Sequence, residues 1–307
     1  PARASGSAPP SPAKPAPEKA AVPASASAPA AGDAVRFEAI SFVAAGLAYD
    51  AVSRRFVVGD RDARKVFVVD EGSRRANDLV GAASAGFHAI GGLDIDPRRG
   101  DLWVVSGEEG LPGAGAMHKL QLVSGRLIET LTVPPELLPV RFADVAVTAD
   151  GAVLALDAAG RRIFRARFGS HALEVAAALD VSEPTSLAPA PGTAVYVSHA
   201  AGLIRVDLAS NAASAVPSQE PSVELSGLER IRWRDGSLVA VQRVDGATRR
   251  VVRLALNGRG RRVVSAQILA ASAPASAATA ATLAGDVFYY VAIGPSREAT
   301  VRRVPLR

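Results

Sequence analysis

Gly46–Asp60, GLAYDAVSRRFVVGD, sets a short apolar run, a polar turn and a second apolar run in succession. Runs of four to eight apolar residues bounded by turn chemistry read as strands. The same phrase returns at Gly92–Gly107 (GLDIDPRRGDLWVVSG), Asp144–Asp157 (DVAVTADGAVLALD), Ser186–His199 (SLAPAPGTAVYVSH), Arg230–Gln242 (RIRWRDGSLVAVQ) and Thr279–Ala292 (TAATLAGDVFYYVA). Successive copies start 46, 52, 42, 44 and 49 residues apart. A period in the forties, built from several short strands, is the sequence signature of a β-propeller. Six copies predict six blades.

A third apolar run follows each copy, starting at Lys65, Met117, Arg162, Leu203, Arg250 and Thr300. Weaker fourth runs start at Asn77, Arg126, Leu173, Asn211 and Arg262, as expected of outer strands. The last copy has no fourth run before Arg307, while Val35–Phe42 (VRFEAISF) reads as a strand with no blade of its own. The economical solution joins the two, so that the N-terminal strand closes the ring and two exposed edges disappear. No segment keeps a sustained 3.6-residue period, so no long helix is expected. The fold class is therefore all-β: a six-bladed propeller of four-stranded antiparallel blades, one domain over residues 34–307. Tyr49, Phe56, Trp103, Phe164, Trp233, Tyr289 and Tyr290 are expected to pack between blades. Ala270–Ala281 reads as a loop or a weak outer strand.

Residues 1–33 differ: 12 Ala, 8 Pro and 5 Ser fill 25 of the 33 positions. Such a stretch buries too little apolar surface to offset its ordering entropy and is read as a disordered, semi-stiff linker. The one methionine is Met117, so Pro1 is expected to follow trimming or excision from a longer chain.

Composition removes several classes. With no cysteine among 307 residues, no disulfide framework, thiol nucleophile or Cys-ligated zinc or iron–sulfur site can form. No run of about 18 apolar residues exists, so no helix is expected to cross a membrane. The net charge of +5 comes from 31 arginines and four lysines, the arginines mostly as pairs scattered along the chain. Nucleic-acid binding needs such charge on one face with aromatics for stacking, and aromatics are only 5%. No nucleic-acid partner is expected.

The copies at Gly46 and Gly92 resemble blades of the gluconolactonase, senescence-marker-protein and luciferin-regenerating-enzyme propellers, and Asp157–Arg165 (DAAGRRIFR) is similar to NHL repeats. That resemblance implies a divalent metal in the central channel, held by a Glu, an Asn and an Asp just before inner strands, with a second Asn touching substrate. On this chain the Glu position falls at Ala45, the metal Asn at Ala143, the Asp at Thr185 and the substrate Asn at Gly91. A hard cation needs several converging oxygens. Alanine and glycine supply none and threonine only a neutral one, so no cofactor is expected. One residue further on, Asp144 supplies a carboxylate.

The segments before the inner strands and the loops after the second strands share one face. His88, Asp144, Glu183, Glu229, His199 and Asp60 are the candidates there. Carboxylates around an entrance can bind a cation or act as acid and base; the same side chains can instead hold loop amides. The loop Ser106–Ala116, with Glu108 and Glu109, is a candidate for partner contact. The reading is a tethered, non-catalytic binding or protein-interaction scaffold, its partner a protein or small molecule at the channel face, in a bacterial periplasm or at a cell surface. The alternative is a sugar-lactonase-like hydrolase that uses calcium or zinc through a rearranged carboxylate set.

Overall fold

The computed structural model describes residues 31–38, 43–82, 84–107, 115–245, 248–273, 280–293 and 298–307. They form 24 strands in six four-stranded antiparallel sheets, with one short 3-10 turn at Pro135–Leu137. The first sheet holds β2 (Ala44–Asp50), β3 (Arg55–Asp60), β4 (Lys65–Asp70) and β5 (Asn77–Val80) in that order. The second holds β6 (Ile90–Asp96), β7 (Asp101–Gly107), β8 (Gly115–Gln121) and β9 (Leu127–Thr132). Next come β10 (Phe142–Val147), β11 (Val153–Asp157), β12 (Arg162–Ala166) and β13 (Leu173–Ala178). The fourth is β14 (Ser186–Pro189), β15 (Ala194–His199), β16 (Gly202–Asp207) and β17 (Ala212–Ala215). The fifth is β18 (Leu228–Arg234), β19 (Ser237–Arg243), β20 (Arg249–Leu256) and β21 (Val263–Ala273). The sixth runs β22 (Ala281–Ala284), β23 (Val287–Ile293), β24 (Glu298–Pro305) and then β1 (Gly32–Glu38).

Each repeated phrase is thus the first two strands of a blade. The core explains why those strands read as unbroken apolar runs. A strand sends alternate side chains to opposite faces, and here both faces of each sheet meet a neighbouring blade. In β11, Val153 and Ala155 pack toward the second blade, Leu154 and Leu156 toward the fourth. Six such clusters, one at each junction, make up the core. The aromatic expectations hold. Tyr49, Phe56 and Tyr289 meet at the junction of the first and sixth blades, with ring centroids 5.0–5.5 Å apart. Tyr196 of the fourth blade stacks on Trp233 of the fifth at 5.5 Å and 8°.

The N-terminal strand closes the ring. β1 runs antiparallel to β24 with Val35 opposite Val301 and Phe37 opposite Ala299. It starts at Gly32, two residues inside the segment read as linker, and ends at Glu38; residues 1–30 and 39–42 lie outside the described residues. Ala270 belongs to β21 and Ala281 opens β22, with 274–279 outside the described residues. The loop read from Ser106 to Ala116 shortens at both ends, because β7 reaches Gly107 and β8 begins at Gly115; Glu108 and Glu109 lie outside the described residues.

Candidate functional site

Antiparallel order fixes which residues share a face. The inner strands β2, β6, β10, β14, β18 and β22 start on one face, the mouth, where the turns after the second strands also lie. Turns joining first to second and third to fourth strands lie on the opposite face.

Around the channel the inner strands come very close. A Cβ at Gly46 would stand 2.6 Å from the Leu93 backbone nitrogen, and one at Gly91 only 2.2 Å from the Phe142 carbonyl oxygen. Small residues in these strands therefore set the ring's diameter. Elsewhere polar side chains do the joining. Asp144 on β10 is the centre. Its carboxylate accepts from Val145 N at 3.0 Å, from Leu187 N at 3.2 Å and from the Ser186 hydroxyl. Arg232 of the fifth blade grips it with both terminal nitrogens, at 3.0 and 3.3 Å, and Arg230 adds a contact at 3.4 Å. Arg232 also donates to the Ile231 and Ala281 carbonyls at 2.8 and 3.0 Å, Arg230 to the Ala143 carbonyl at 2.6 Å. Ser186 Oγ accepts from Ile231 N at 3.0 Å. One carboxylate and two guanidiniums thereby tie together blades three, four, five and six. Asp94 on β6 links the second blade to the third by accepting from Val147 N at 2.8 Å.

The electrostatics follow. Burial alone would raise the Asp144 carboxyl, but Arg232 and then Arg230 outweigh it and hold the group below the ordinary carboxylate range. Burial lowers Arg230, which has to share Asp144 with Arg232. For Asp94, burial dominates over the Val147 bond and the more distant Arg232, and pushes the carboxyl up to about 6.

The predicted residues take separate local roles. Asp144, on the inner strand β10, is buried and fully engaged. Asp60 is buried and accepts from Ala63 N at 3.2 Å and Val43 N at 3.5 Å, so it shapes a turn. Asp157 does the same, with Arg141 N, Ala159 N and Gly160 N at 3.0–3.1 Å and Arg162 at 2.9 Å. Glu183 is exposed, at a backbone φ of 50°. Glu229 lies 3.3 Å from Arg249 and 3.7 Å from Arg243. His199 accepts from Ala201 N at 3.3 Å, and burial lowers its pKa. His88 donates its backbone N–H to Ser106 Oγ at 3.2 Å, and its ring Nδ1 is buried without a partner among the described residues. Of the four positions the resemblance marks, Ala45 packs in the core between the first two blades and Gly91 backs onto Phe142. Ala143 offers its carbonyl to Arg230, and Thr185 bonds the Leu228 carbonyl at 3.0 Å and Ser198 at 2.9 Å. Among the described residues no three His, Asp or Glu side chains group in a way that could hold a metal ion. Sequence reading missed Arg230, Arg232, Ser186 and Asp94 as partners. The available signal was charge written into an inner-strand apolar run, RIRWR and LDID.

His118 is a core group. Its ring lies 2.9 Å from Ser106 Oγ and 3.3 Å from Thr130 Oγ1, under the edge of Phe87. Burial, aided by nearby His88, lowers its pKa to about 4. Folding therefore favours the neutral ring. The stabilisation is complete above the unfolded pKa of about 6.5 and is lost as pH falls toward 4, some 3 kcal/mol in all. Asp94, raised to about 6, acts in the opposite sense over the same window, so the His118 contribution is read as a difference. In urea titrations from pH 7 to 4 the stability of the parent chain relative to His118→Phe should fall by about that amount; a difference that does not change with pH would remove His118 as the titrating group.

No protein-family model matches the chain, and no curated protein matches its sequence. Solved structures do match in fold. The PQQ-bound aldose sugar dehydrogenase of Streptomyces coelicolor aligns with a TM-score of 0.61 and 13% identity over 91% of this chain and 99% of its own. A gluconolactonase of Xanthomonas campestris gives 0.59 and 18% over 95% and 99%. Hydrazine synthase of Kuenenia stuttgartiensis gives 0.55 and 10% over 87% and 88%. At these identities the likeness is one of fold: the chain is a six-bladed β-propeller whose structural neighbours include gluconolactonase structures.

Proposed function

We propose that this chain is a non-catalytic binding propeller in which the central channel is a strut and not a reaction centre. The observation that carries the reading is the engagement of Asp144. Both of its oxygens are taken by Arg232, Arg230, Ser186 and two backbone amides. A divalent cation placed there would face two buried guanidiniums, and the neighbouring positions Ala45, Ala143 and Thr185 offer it no charged oxygen. The donor set does not fit the metal that the family resemblance implies. The Pro/Ala/Ser-rich composition of residues 1–33 supports a tethered body; the proposal adds a partner at the mouth face and an extracytoplasmic location.

The test is a thermal melt of the full chain in calcium, zinc and manganese, paired with a lactone hydrolysis assay. A ligand that binds the folded state at 100 times its Kd adds about 2.7 kcal/mol, a rise of several degrees. We expect no such rise and no turnover. A rise that disappears in Glu183→Ala, or turnover of a sugar lactone, would overturn the proposal in favour of a rearranged carboxylate hydrolase.

A further inference from the structure

The turns on the two faces of the ring differ in the sign of their charge, while Asp50, Asp70, Asp96, Asp101 and Asp207 stand at strand ends beside the basic turns. Turns on the opposite face, with the end residues 306 and 307, hold eleven arginines against four carboxylates. The connections on the mouth face hold four arginines against seven carboxylates among the described residues. Some of the opposite-face arginines are committed: Arg54 pairs with Glu71 at 2.7 Å, and Arg99 with Asp96 at 2.6 Å. Arg74, Arg75, Arg126, Arg259, Arg261 and Arg262 are exposed.

The same face carries the three most exposed large apolar side chains among the described residues: Val52 at 93%, Val123 at 71% and Phe168 at 63%. They sit at the tips of three separate turns, in the first, second and third blades. Arginine lies close to each in the chain: Val52 precedes Arg54, Val123 precedes Arg126, and Phe168 follows Arg167. The Arg99 guanidinium also lies 3.9 Å above the Phe168 ring.

We propose that this face docks on an anionic phospholipid bilayer. Arginines around protruding apolar tips complement a surface that is negative at its headgroups and apolar just beneath. Three apolar tips carried on three separate turns favour a fluid bilayer over a folded partner, whose interface core gathers its apolar residues together. Each tip can enter a fluid surface on its own. Nucleic acid would share the charge attraction, but two of the three tips are valines, which give bases no ring to stack on. The proposal adds a partner to the binding-propeller reading without depending on it, since a hydrolase with this face would bind the same vesicles.

Co-sedimentation of the full chain tests it, using vesicles of phosphatidylcholine alone and with about 30% phosphatidylglycerol. Binding should be at least about tenfold stronger on the anionic vesicles and weaken steeply between about 0.05 and 0.5 M salt. Arg74→Glu, Arg75→Glu and Arg126→Glu together should abolish it. Val52→Ser with Phe168→Ser should weaken it about tenfold while keeping the salt dependence. Arg161→Glu on the mouth face should leave it unchanged. These side chains lie outside the six core clusters, and a melt of each variant checks that the fold is kept. Equal binding to both vesicle types, no binding to either, or retention by the charge-reversed triple variant would overturn the proposal. Salt-sensitive binding of duplex DNA without vesicle binding would overturn it too and reassign the face to nucleic acid.

Discussion

Asp144→Ala should cost about 3–5 kcal/mol, because it leaves two buried guanidiniums without their shared counter-charge. For a domain of this size each kcal/mol lowers Tm by roughly 2–4 °C, so the melt should fall by about 6 °C at least. The loss is more than one ion pair. Ser186 Oγ and Leu187 N lose the acceptor through which the fourth blade is joined to the third. Arg232 keeps only its carbonyl acceptors on Ile231 and Ala281. A neutral replacement of all charges separates electrostatics from packing. Asp144→Leu with Arg230→Met and Arg232→Met removes the unpaired charges, and buried ion networks replaced in this way are often no less stable than the original. The triple variant should therefore recover much of the loss in a urea unfolding series. If Asp144→Ala melts within about 2 °C of the parent chain, Asp144 does not hold the ring and the strut reading fails.

That network also marks the limit of what the sequence discloses. The blades were legible because their cause is local. Each strand is packed on both faces, so its apolar run is continuous, and turn chemistry ends it at a spacing set by blade size. Ring closure was legible because strands must pair, and only Val35–Phe42 and the last blade had an edge left over. The channel was not legible, because its contacts join distant segments. Asp144 meets Arg232 across 88 residues and Ser186 across 42. Nothing near Asp144 in the chain distinguishes it from Asp60 or Asp157, which hold turn amides. The reading that such carboxylates stabilise loops describes Asp60 and Asp157, while Asp144 belongs to a third case, a carboxylate that joins blades. The charge asymmetry of the faces was hidden for a similar reason. Arginine pairs such as Arg74-Arg75, Arg98-Arg99 and Arg261-Arg262 look scattered along the chain, until alternation of strands assigns all three to turns of one face.

Removing the closing strand should have the other large effect. A chain starting at residue 39 lacks β1, and with it Val35 and Phe37, which is 1% exposed. Phe37 packs edge-on against Phe67 of the first blade at 5.5 Å and lies opposite Ala299 of the sixth. The junction of the first and last blades therefore loses apolar burial worth about 1.5–3 kcal/mol for each of the two side chains, and β24 becomes an open edge beside an uncovered core. Phe37→Ala alone should cost about 3–5 kcal/mol. The truncated chain should be mostly unfolded or aggregated in size-exclusion chromatography, as an exposed apolar edge predicts. A chain starting at Ala31, which keeps the strand and omits the segment without a core-forming run, should melt as the full chain does. The cause can be isolated by adding a peptide of residues 31–38 in trans, since a free strand can pair with an open sheet edge. Restoration of a monomeric, cooperatively melting ring by that peptide would show that pairing at β24 is what the truncation removes. If the chain starting at residue 39 instead melts within about 2 °C of the full chain, the ring is held without its N-terminal strand, and junction packing of the other blades carries closure.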